Sequence, residues 1–308
     1  MLITVGEILV DIFDDGHHRD ILPGGAPFNV ACNALKFTKN VSFVGSIGND
    51  DNGKLLLDTV NEKGFTNQVI KVLDDRYTSR AIVTLKDGER FFHFERDKGA
   101  DYILDINDID VSNIKDEDII HIGSLMLSYK EGRDFFYALI KKIKKNTHAK
   151  ISFDINYRDD IFSSADEAKK VFLEALKEAD ILKFSLEEIA LFSNKNEISK
   201  ALDELLSPNQ IAVVTLGSKG SIFYKRGHIV EIPTYPVKPV DTTGAGDAFY
   251  SYFLASLVNH PDFINNDKEI RHYLSRANAV GALATLNKGA INNDLSDKLV
   301  DSFIKQNQ

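Results

Sequence analysis

Asp241-Thr242-Thr243-Gly244-Ala245-Gly246-Asp247, continued by Ala248-Phe249-Tyr250-Ser251-Tyr252-Phe253-Leu254-Ala255, places a glycine-rich turn directly before a run long and apolar enough for a buried helix. Glycines at a helix entry let the backbone approach a ligand closely. The unpaired amide N–H groups and the positive end of the helix dipole then favour an anion such as a transferring phosphoryl group. Asp247 falls in the first turn of that helix. Its carboxylate can accept the proton of an attacking hydroxyl while the amides stabilise charge on phosphate oxygens. It can equally do no more than cap the helix. The local pattern leaves both readings open.

Outward from this turn, short β-rich runs alternate with helical patterns. Strands are expected at Leu2 to Val10, Val41 to Gly45, Asp118 to Gly123, Lys150 to Asp154, Ile181 to Phe184 and Ile211 to Leu216. Such alternation predicts an α/β fold, a doubly wound and mostly parallel sheet with helices on both faces. Phe136, Leu139, Ile140 and Ile143 recur at helical spacing, and Lys141, Lys142, Lys144 and Lys145 fall on the other faces as a solvated surface. Ser164 with Glu167 three residues later fits a capping box for the next helix.

One region breaks this rhythm. Arg80 to Leu85 and Arg90 to Glu95 read as two strands joined by Lys86-Asp87-Gly88-Glu89, a hairpin signal. A second insert, Phe13 to Leu22, contains Asp15-Gly16. Packed together, the two inserts predict a small β-sheet over a cleft. The expected organisation is one domain spanning residues 1–308, with a lid built from about 12–23 and 76–104.

The bulk numbers fit an enzyme of this kind. Hydrophobic residues are 43% and charged residues 27% of the 308, ordinary globular usage. With 37 basic and 46 acidic side chains the net charge is −9, which repels nucleic acid and anionic bilayers at long range, so an anionic ligand has to be held by local groups. No apolar run reaches membrane-spanning length and the first residues lack the basic start of a signal peptide, which predicts a cytoplasmic location with no membrane partner. The single cysteine, Cys32, excludes an internal disulfide and reads as core packing.

A second segment, Pro23-Gly24-Gly25-Ala26-Pro27-Phe28-Asn29-Val30-Ala31, has a proline suited to the first turn of a helix, two glycines that let the chain pass near a ligand, and an asparagine able to bond hydroxyls. A Gly-x-x-x-x-Gly-Lys-Ser/Thr loop is absent. Phe249 stands where a dinucleotide fingerprint needs its third small residue. The two glycine segments, in this order, resemble the two signature segments of the ribokinase-like (PfkB) carbohydrate kinases. The resemblance extends over essentially the whole chain. It implies magnesium-ATP as phosphoryl donor, a sugar as small-molecule substrate, and a lid that covers the sugar and often serves as a homodimer contact.

Carried over residue by residue, the resemblance puts the catalytic base at Asp247 and the anion hole on the backbone of Gly244, Ala245 and Gly246. It gives Asp11, Gly24, Gly25 and Asn29 to the sugar. Arg158, in Asp154-Ile155-Asn156-Tyr157-Arg158, is suited to phosphate oxygens. Lys183-Phe184-Ser185-Leu186-Glu187-Glu188 overlays a segment that is usually Asn-x-x-Glu. Glu188 then matches the glutamate that helps hold magnesium through water, while Ser185 replaces the asparagine on the nucleotide side. Thr215, Gly217 and Gly220 resemble the strand and turn beside the ATP phosphates and ribose, and Asn278 lies beside the adenine pocket. Asp241, Thr243 and Gly289 fall near a loop that binds a monovalent cation, such as K+, in many members.

Within the family, His121-Ile122-Gly123-Ser124-Leu125 and Arg96-Asp97-Lys98-Gly99-Ala100-Asp101 resemble fructokinase segments, with Arg96 reaching the sugar from the lid. The 2-keto-3-deoxygluconate kinases share Asn156-Tyr157-Arg158. Leu9 stands where ribokinases usually carry an asparagine. The expected reaction is transfer of the γ-phosphoryl group of ATP to fructose, with 2-keto-3-deoxygluconate or a nucleoside as alternative acceptors and a catalytically silent sugar sensor as the non-enzyme alternative.

Overall fold

Strands that are buried on both faces need helices on both sides, and this chain supplies them in alternation. The computed structural model describes residues 1–14, 19–86 and 89–307. Its first part runs β1 (Leu2–Val5), β2 (Leu9–Asp14), β3 (Arg19–Gly24), α1 (Ala26–Ala34), β4 (Val41–Gly48), α2 (Asp51–Lys63), β5 (Asn67–Leu73), β6 (Arg80–Lys86) and β7 (Glu89–Glu95). There follow β8 (Ile119–Ile122), α3 (Lys130–Asn146), β9 (Lys150–Asp154), α4 (Ala165–Leu176), β10 (Ile181–Ser185), α5 (Leu186–Phe192) and α6 (Ile198–Leu205). The chain closes with β11 (Ile211–Thr215), β12 (Ser221–Lys225), β13 (His228–Ile232), α7 (Ala245–Asn259), α8 (Asp267–Ala284) and α9 (Asp297–Gln306).

The main sheet has nine strands in the order β13-β12-β11-β10-β9-β8-β1-β4-β5, parallel except for the β12 and β13 edge. Alternate residues face opposite layers. In β11, Val213 joins the core beneath α1, α7 and α8, while Ala212 and Val214 join the core beneath α3, α4 and α6. Consecutive strands leave β1 on both sides, to β4 and to β8, so a crevice opens at the carboxyl ends near β1, where ligands bind in sheets of this type.

Residues 2 to 10 do not form the single strand expected of them. The chain breaks at Gly6, whose φ of 145° is open to glycine, and a β-carbon there would sit 3.1 Å from Gly123 Cα. The first half stays in the main sheet. The second half turns away as β2 and joins a separate four-stranded sheet, β3-β2-β6-β7. Both inserts read from the sequence contribute to that sheet; their Asp15-Gly16 and Asp87-Gly88 turns lie outside the described residues. Ser164 caps α4 through Glu167 N–H at 3.1 Å, but Glu167 turns its carboxylate to the Ser163 hydroxyl, so the box is one-sided. Of the α3 lysines, Lys142 is not purely solvated: its Nζ donates to the carbonyls of Ile106 and Ile109. Cys32 is fully buried in α1, and burial pushes its thiol up to about 12.

Arg96, at the exit of β7, takes a role other than the one expected. It does not line the crevice. Its Nε and Nη2 donate to Asp101 Oδ2 at 3.0 and 2.6 Å, and its Nη1 donates to Ser128 Oγ at 2.7 Å. The guanidinium lies 5.6 and 5.4 Å from the rings of Tyr102 and Tyr129, which stack on each other at 3.9 Å. Asp101 also accepts the hydroxyl of Ser79, just before β6. Both ends of the β6–β7 unit are thereby fastened to one buried carboxylate. Removing one partner of such a pair leaves an uncompensated buried charge, so Arg96→Ala is expected to cost about 3–5 kcal/mol in urea unfolding. A loss below about 1 kcal/mol would show that the pair is not the anchor.

Candidate active site

The entries of α1 and α7 meet at the crevice. α7 starts after Gly244, which takes a left-handed φ of 72° as N-cap; a β-carbon there would lie 2.4 Å from Ala290 Cβ. Asp247 is the third residue of α7, and no side chain caps this helix. The Asp247 carboxylate is engaged elsewhere: Oδ2 accepts the amide of Asn29, in the first turn of α1, at 2.8 Å. The helix-cap reading of Asp247 is therefore not what the chain adopts. Burial raises the Asp247 pKa, opposed by the Asn29 hydrogen bond and the nearby Lys183 and Arg158 charges. α7 is fixed to the sheet by Tyr250, whose hydroxyl lies 2.7 Å from Ser152 Oγ, itself 3.1 Å from His121 Nδ1. Burial lowers the His121 pKa to about 4, so the ring is neutral.

Two cavities flank this point. The larger, about 860 Å³, is lined by Asp11, Gly25, Asn29, Arg158, Thr243, Gly244 and Asp247, with an apolar wall of Leu9, Ala81, Phe94 and Leu125. The smaller, about 570 Å³, is lined by Thr215, Gly217, Gly220, Ala245 and Asn278 with Tyr235, Pro236, Val237 and Phe249. Pro239, Thr242 and Gly246 line both. The two cavities thus adjoin at the backbone of Gly246, one residue from Asp247. The lining of the smaller cavity includes Thr234 to Val237, a stretch outside helix and strand that the sequence reading passed over.

On the large-cavity side, Asp11 lies buried in β2 against Gly24, where a β-carbon would come within 2.4 Å of Oδ2. Burial, then the charge of Asp247, pushes its pKa up to about 7, with Arg158 pulling the other way. Gly24 thus acts on the cavity by giving Asp11 room. Asn278 donates its side-chain amide to the carbonyls of Ile232 and Pro233 at 3.2 and 3.3 Å, which ties α8 to the end of β13 beside the smaller cavity.

Lys183 is the site residue that the sequence reading did not assign. It sits inside β10, and its Nζ donates to both Asp154 oxygens at 2.9 and 2.8 Å. A β-carbon on Gly246 would be 3.4 Å from the same Nζ. Burial works against its charge, but Asp154 and Glu188 outweigh burial and raise its pKa, so the ammonium persists. The signal was there: a lone lysine within Ile-Leu-Lys-Phe, in a strand buried on both faces, is rarely tolerated without a partner. Among the described residues lining the larger cavity, Lys183 and Arg158 supply the cationic side chains.

Ser185, Glu188, Asp241 and Gly289, expected at the site, line neither cavity. Ser185 and Glu188 form a reciprocal capping box at the start of α5, Glu188 Oε2 accepting the Ser185 N–H at 2.6 Å. Glu188 Oε1 accepts the N–H of Tyr157 at 2.8 Å. Each oxygen keeps a second lone pair, and burial raises the Glu188 pKa. Asp241 is buried and accepts the amides of Thr243 and Gly289 at 2.8 and 2.9 Å, joining two loops beside Gly244. Among the described residues, no three His, Cys, Asp or Glu side chains converge as a metal cage.

The raised Asp11 pKa has a thermodynamic consequence. The acid titrates from 3.8 in the open chain to about 7 in the fold. The folded state is therefore penalised progressively as pH rises through that window, and fully above it. Asp11→Asn removes the penalty, so its melting temperature should exceed that of the unaltered chain at pH 8 and approach it near pH 4. A variant less stable at pH 8 than the unaltered chain would show that Asp11 carries no such burden.

The sequence pattern of the pfkB family carbohydrate kinases matches residues 5–298. Fructokinase-1 of Zea mays is 34% identical over 302 residues, covering 94% of this chain and 93% of that protein. Among solved structures, a fructokinase from Vibrio cholerae O395 with fructose, ADP and calcium ion bound superposes with a TM-score of 0.88 at 31% identity, covering 98% of both chains. A fructokinase from Xylella fastidiosa with bound ATP gives the same TM-score at 28% identity, covering 99% of this chain and 98% of that one. With two glycine-lined cavities meeting at Gly246 and a match across nearly its whole length, this chain belongs to the pfkB family of carbohydrate kinases, enzymes that phosphorylate an alcohol group.

Proposed function

We propose that this carbohydrate kinase transfers the γ-phosphoryl group of ATP to a primary hydroxyl of fructose, giving fructose 6-phosphate and ADP. The observation that carries the reading is the meeting of the two cavities at Gly246, with the half-buried Asp247 carboxylate on the large-cavity side. The larger cavity takes the sugar and the smaller takes the nucleotide. The relatives named above support fructose as the acceptor and ATP as the donor.

In this reading the sugar hydroxyl attacks the γ-phosphorus in line and its proton passes to Asp247. The bond to the β–γ bridging oxygen breaks, and ADP leaves with that electron pair. Asn29 donates to Asp247 Oδ2, favouring the ionised base and leaving Oδ1 for the hydroxyl. Asp11 accepts sugar hydroxyls. The amides of Gly244, Ala245 and Gly246, at the positive end of α7, stabilise the charge spread over the moving phosphoryl oxygens, as do Lys183 and Arg158. Thr215, Gly217, Gly220 and Asn278 belong to the nucleotide. Glu188, with both oxygens already taking one amide each, suits outer contacts to magnesium-bound water; magnesium, when bound, would neutralise phosphate charge. The Asp241–Thr243 loop with Gly289 is the place for a monovalent cation.

Incubating the chain with ATP and, in turn, fructose, 2-keto-3-deoxygluconate, ribose and adenosine should give ADP release with fructose above all. Asp247→Ala is expected to fold normally and to lose at least ~100-fold in turnover. ADP release that is indifferent to every acceptor would end the kinase reading, and near-normal turnover without Asp247 would end its role as base. For Lys183, a paired experiment separates charge delivery from packing. Lys183→Met leaves Asp154 buried and unpaired, so it loses both stability and turnover. The double variant Lys183→Met/Asp154→Asn should regain stability while turnover stays at least ~10-fold down. Recovery of both together would reduce Lys183 to a structural role.

A further inference from the structure

The segment from Asn156 to Ile161 carries Arg158 between two carboxylate fastenings that come from different parts of the fold. On the inner side, the N–H of Tyr157 donates to Glu188 at 2.8 Å. On the outer side, Asp160 Oδ2 accepts the N–H of Phe94, in β7, at 3.0 Å, and the exposed His93 ring lies 3.7 Å from the same oxygen. β7 is the edge strand of the small sheet, so its outward N–H groups have no strand partner on that side. Next to Asp160, Ile161 packs, as Phe94 does, against the cluster of Leu9, Ala81 and Leu125. That cluster and Phe94 form the apolar wall of the sugar cavity. Asn156 begins the segment with φ at 39°, a left-handed turn that swings the chain off the end of β9.

From these contacts we propose that Asp160 is a positioning residue, a latch by which the small sheet closes on the sugar and sets the strap that carries Arg158. The strap is short and tied at both ends. When the small sheet seats, Phe94 brings its own ring against the sugar and its amide against Asp160; the strap is held there, and Arg158 is presented to the phosphoryl group. The opposite tie, to Glu188, joins the same strap to the residue assigned above to magnesium-bound water. Sugar enclosure and phosphate grip are thereby mechanically one event, which favours transfer to the sugar over transfer to water. Asp160 touches neither cavity, and it is partly exposed, so its removal leaves no buried charge behind.

The inference rests on the assignment of the large cavity to the sugar. Three readouts test it on the full chain: steady-state constants, amide hydrogen exchange in β6 and β7 with and without fructose, and the melting temperature. Asp160→Ala should raise the KM for fructose about 5- to 10-fold, the scale of one partly exposed charge-assisted hydrogen bond. Because Arg158 would meet the phosphoryl group in transfer and Asp160 does not line the nucleotide cavity, its misplacement should show as a fall in kcat with fructose, while KM for ATP stays within about twofold. Fructose-induced protection of β6 and β7 should be lost, and the melting temperature should move little. Asp160→Asn keeps an oxygen that can accept the Phe94 N–H and should retain most of the protection and the lower KM. Protection and KM unchanged in Asp160→Ala would overturn the latch. A fall in melting temperature with no selective effect on fructose would overturn it too, as would an Asn variant no better than Ala. Exchange reads binding and not turnover, so the two failures are separable: an unaltered chain that releases no ADP sinks the kinase reading, while unaltered protection in Asp160→Ala sinks the latch alone.

Discussion

A carboxylate drawn partly out of water is stabilised by a donor, and for Asp247 that donor is Asn29, 218 residues earlier in the chain. One hydrogen bond of 2.8 Å therefore requires the first turns of α1 and α7 to abut. Much of the surrounding architecture serves that contact. α7 can begin where it does because Gly244 accepts a left-handed backbone against Ala290. α1 can begin where it does because the chain leaves the main sheet at Gly6, runs through β2 and β3, and returns directly into the helix. Tyr250, Ser152 and the neutral His121 then lock α7 to the centre of the sheet, so the position of Asp247 is set by the main sheet.

The electrostatics follow from that placement. Asp11, Asp154, Glu188 and Asp247 converge around Lys183 and Arg158, so acidic groups outnumber cationic ones at the site. The whole chain carries −9. A nucleotide triphosphate approaching such a place gains nothing from long-range attraction, so in the proposed reaction its charge would be met at contact distance by helix amides and the two cationic side chains. The buried Lys183–Asp154 pair makes sense in this light. The aspartate holds the ammonium charged in a dry strand, and the ammonium faces Gly246, where two ligands would meet. A more weakly partnered lysine at that depth would shed its proton.

Legibility in the sequence tracked the range of the interaction involved. The parallel strands β9 to β11 and the Arg80–Glu95 hairpin were readable because alternation and turn residues are local. The pair of glycine segments was readable because close backbone approach demands glycine itself. Arg96 was misread because its role depends on Asp101, Ser128 and two stacked tyrosines, and an arginine leaving a lid strand has the same local pattern whether it faces a sugar or an acid. Ser185 and Glu188 show the converse. Their Ser-x-x-Glu spacing is itself a capping signal, and the box forms, while the same carboxylate also receives Tyr157 from another strand end.

Taken alone, the sequence determined the layered α/β class, the insertion that becomes the small sheet, the helix that starts at Gly244, and the membership of Asp247 in its first turn. Each of these depends on residues close together in the chain, where dihedral preference and hydrophobic period act directly. Only the tertiary structure decided that Asp247 is held by Asn29 and does not cap its own helix, and that Arg96 anchors a sheet. It also decided that Lys183 is the cation beneath Gly246 and that Asp160 ties the small sheet to the Arg158 strap. These are choices among donors and acceptors that the local pattern leaves equivalent. They are settled by which partners the packed sheet brings within about 3 Å of one another, away from competing water.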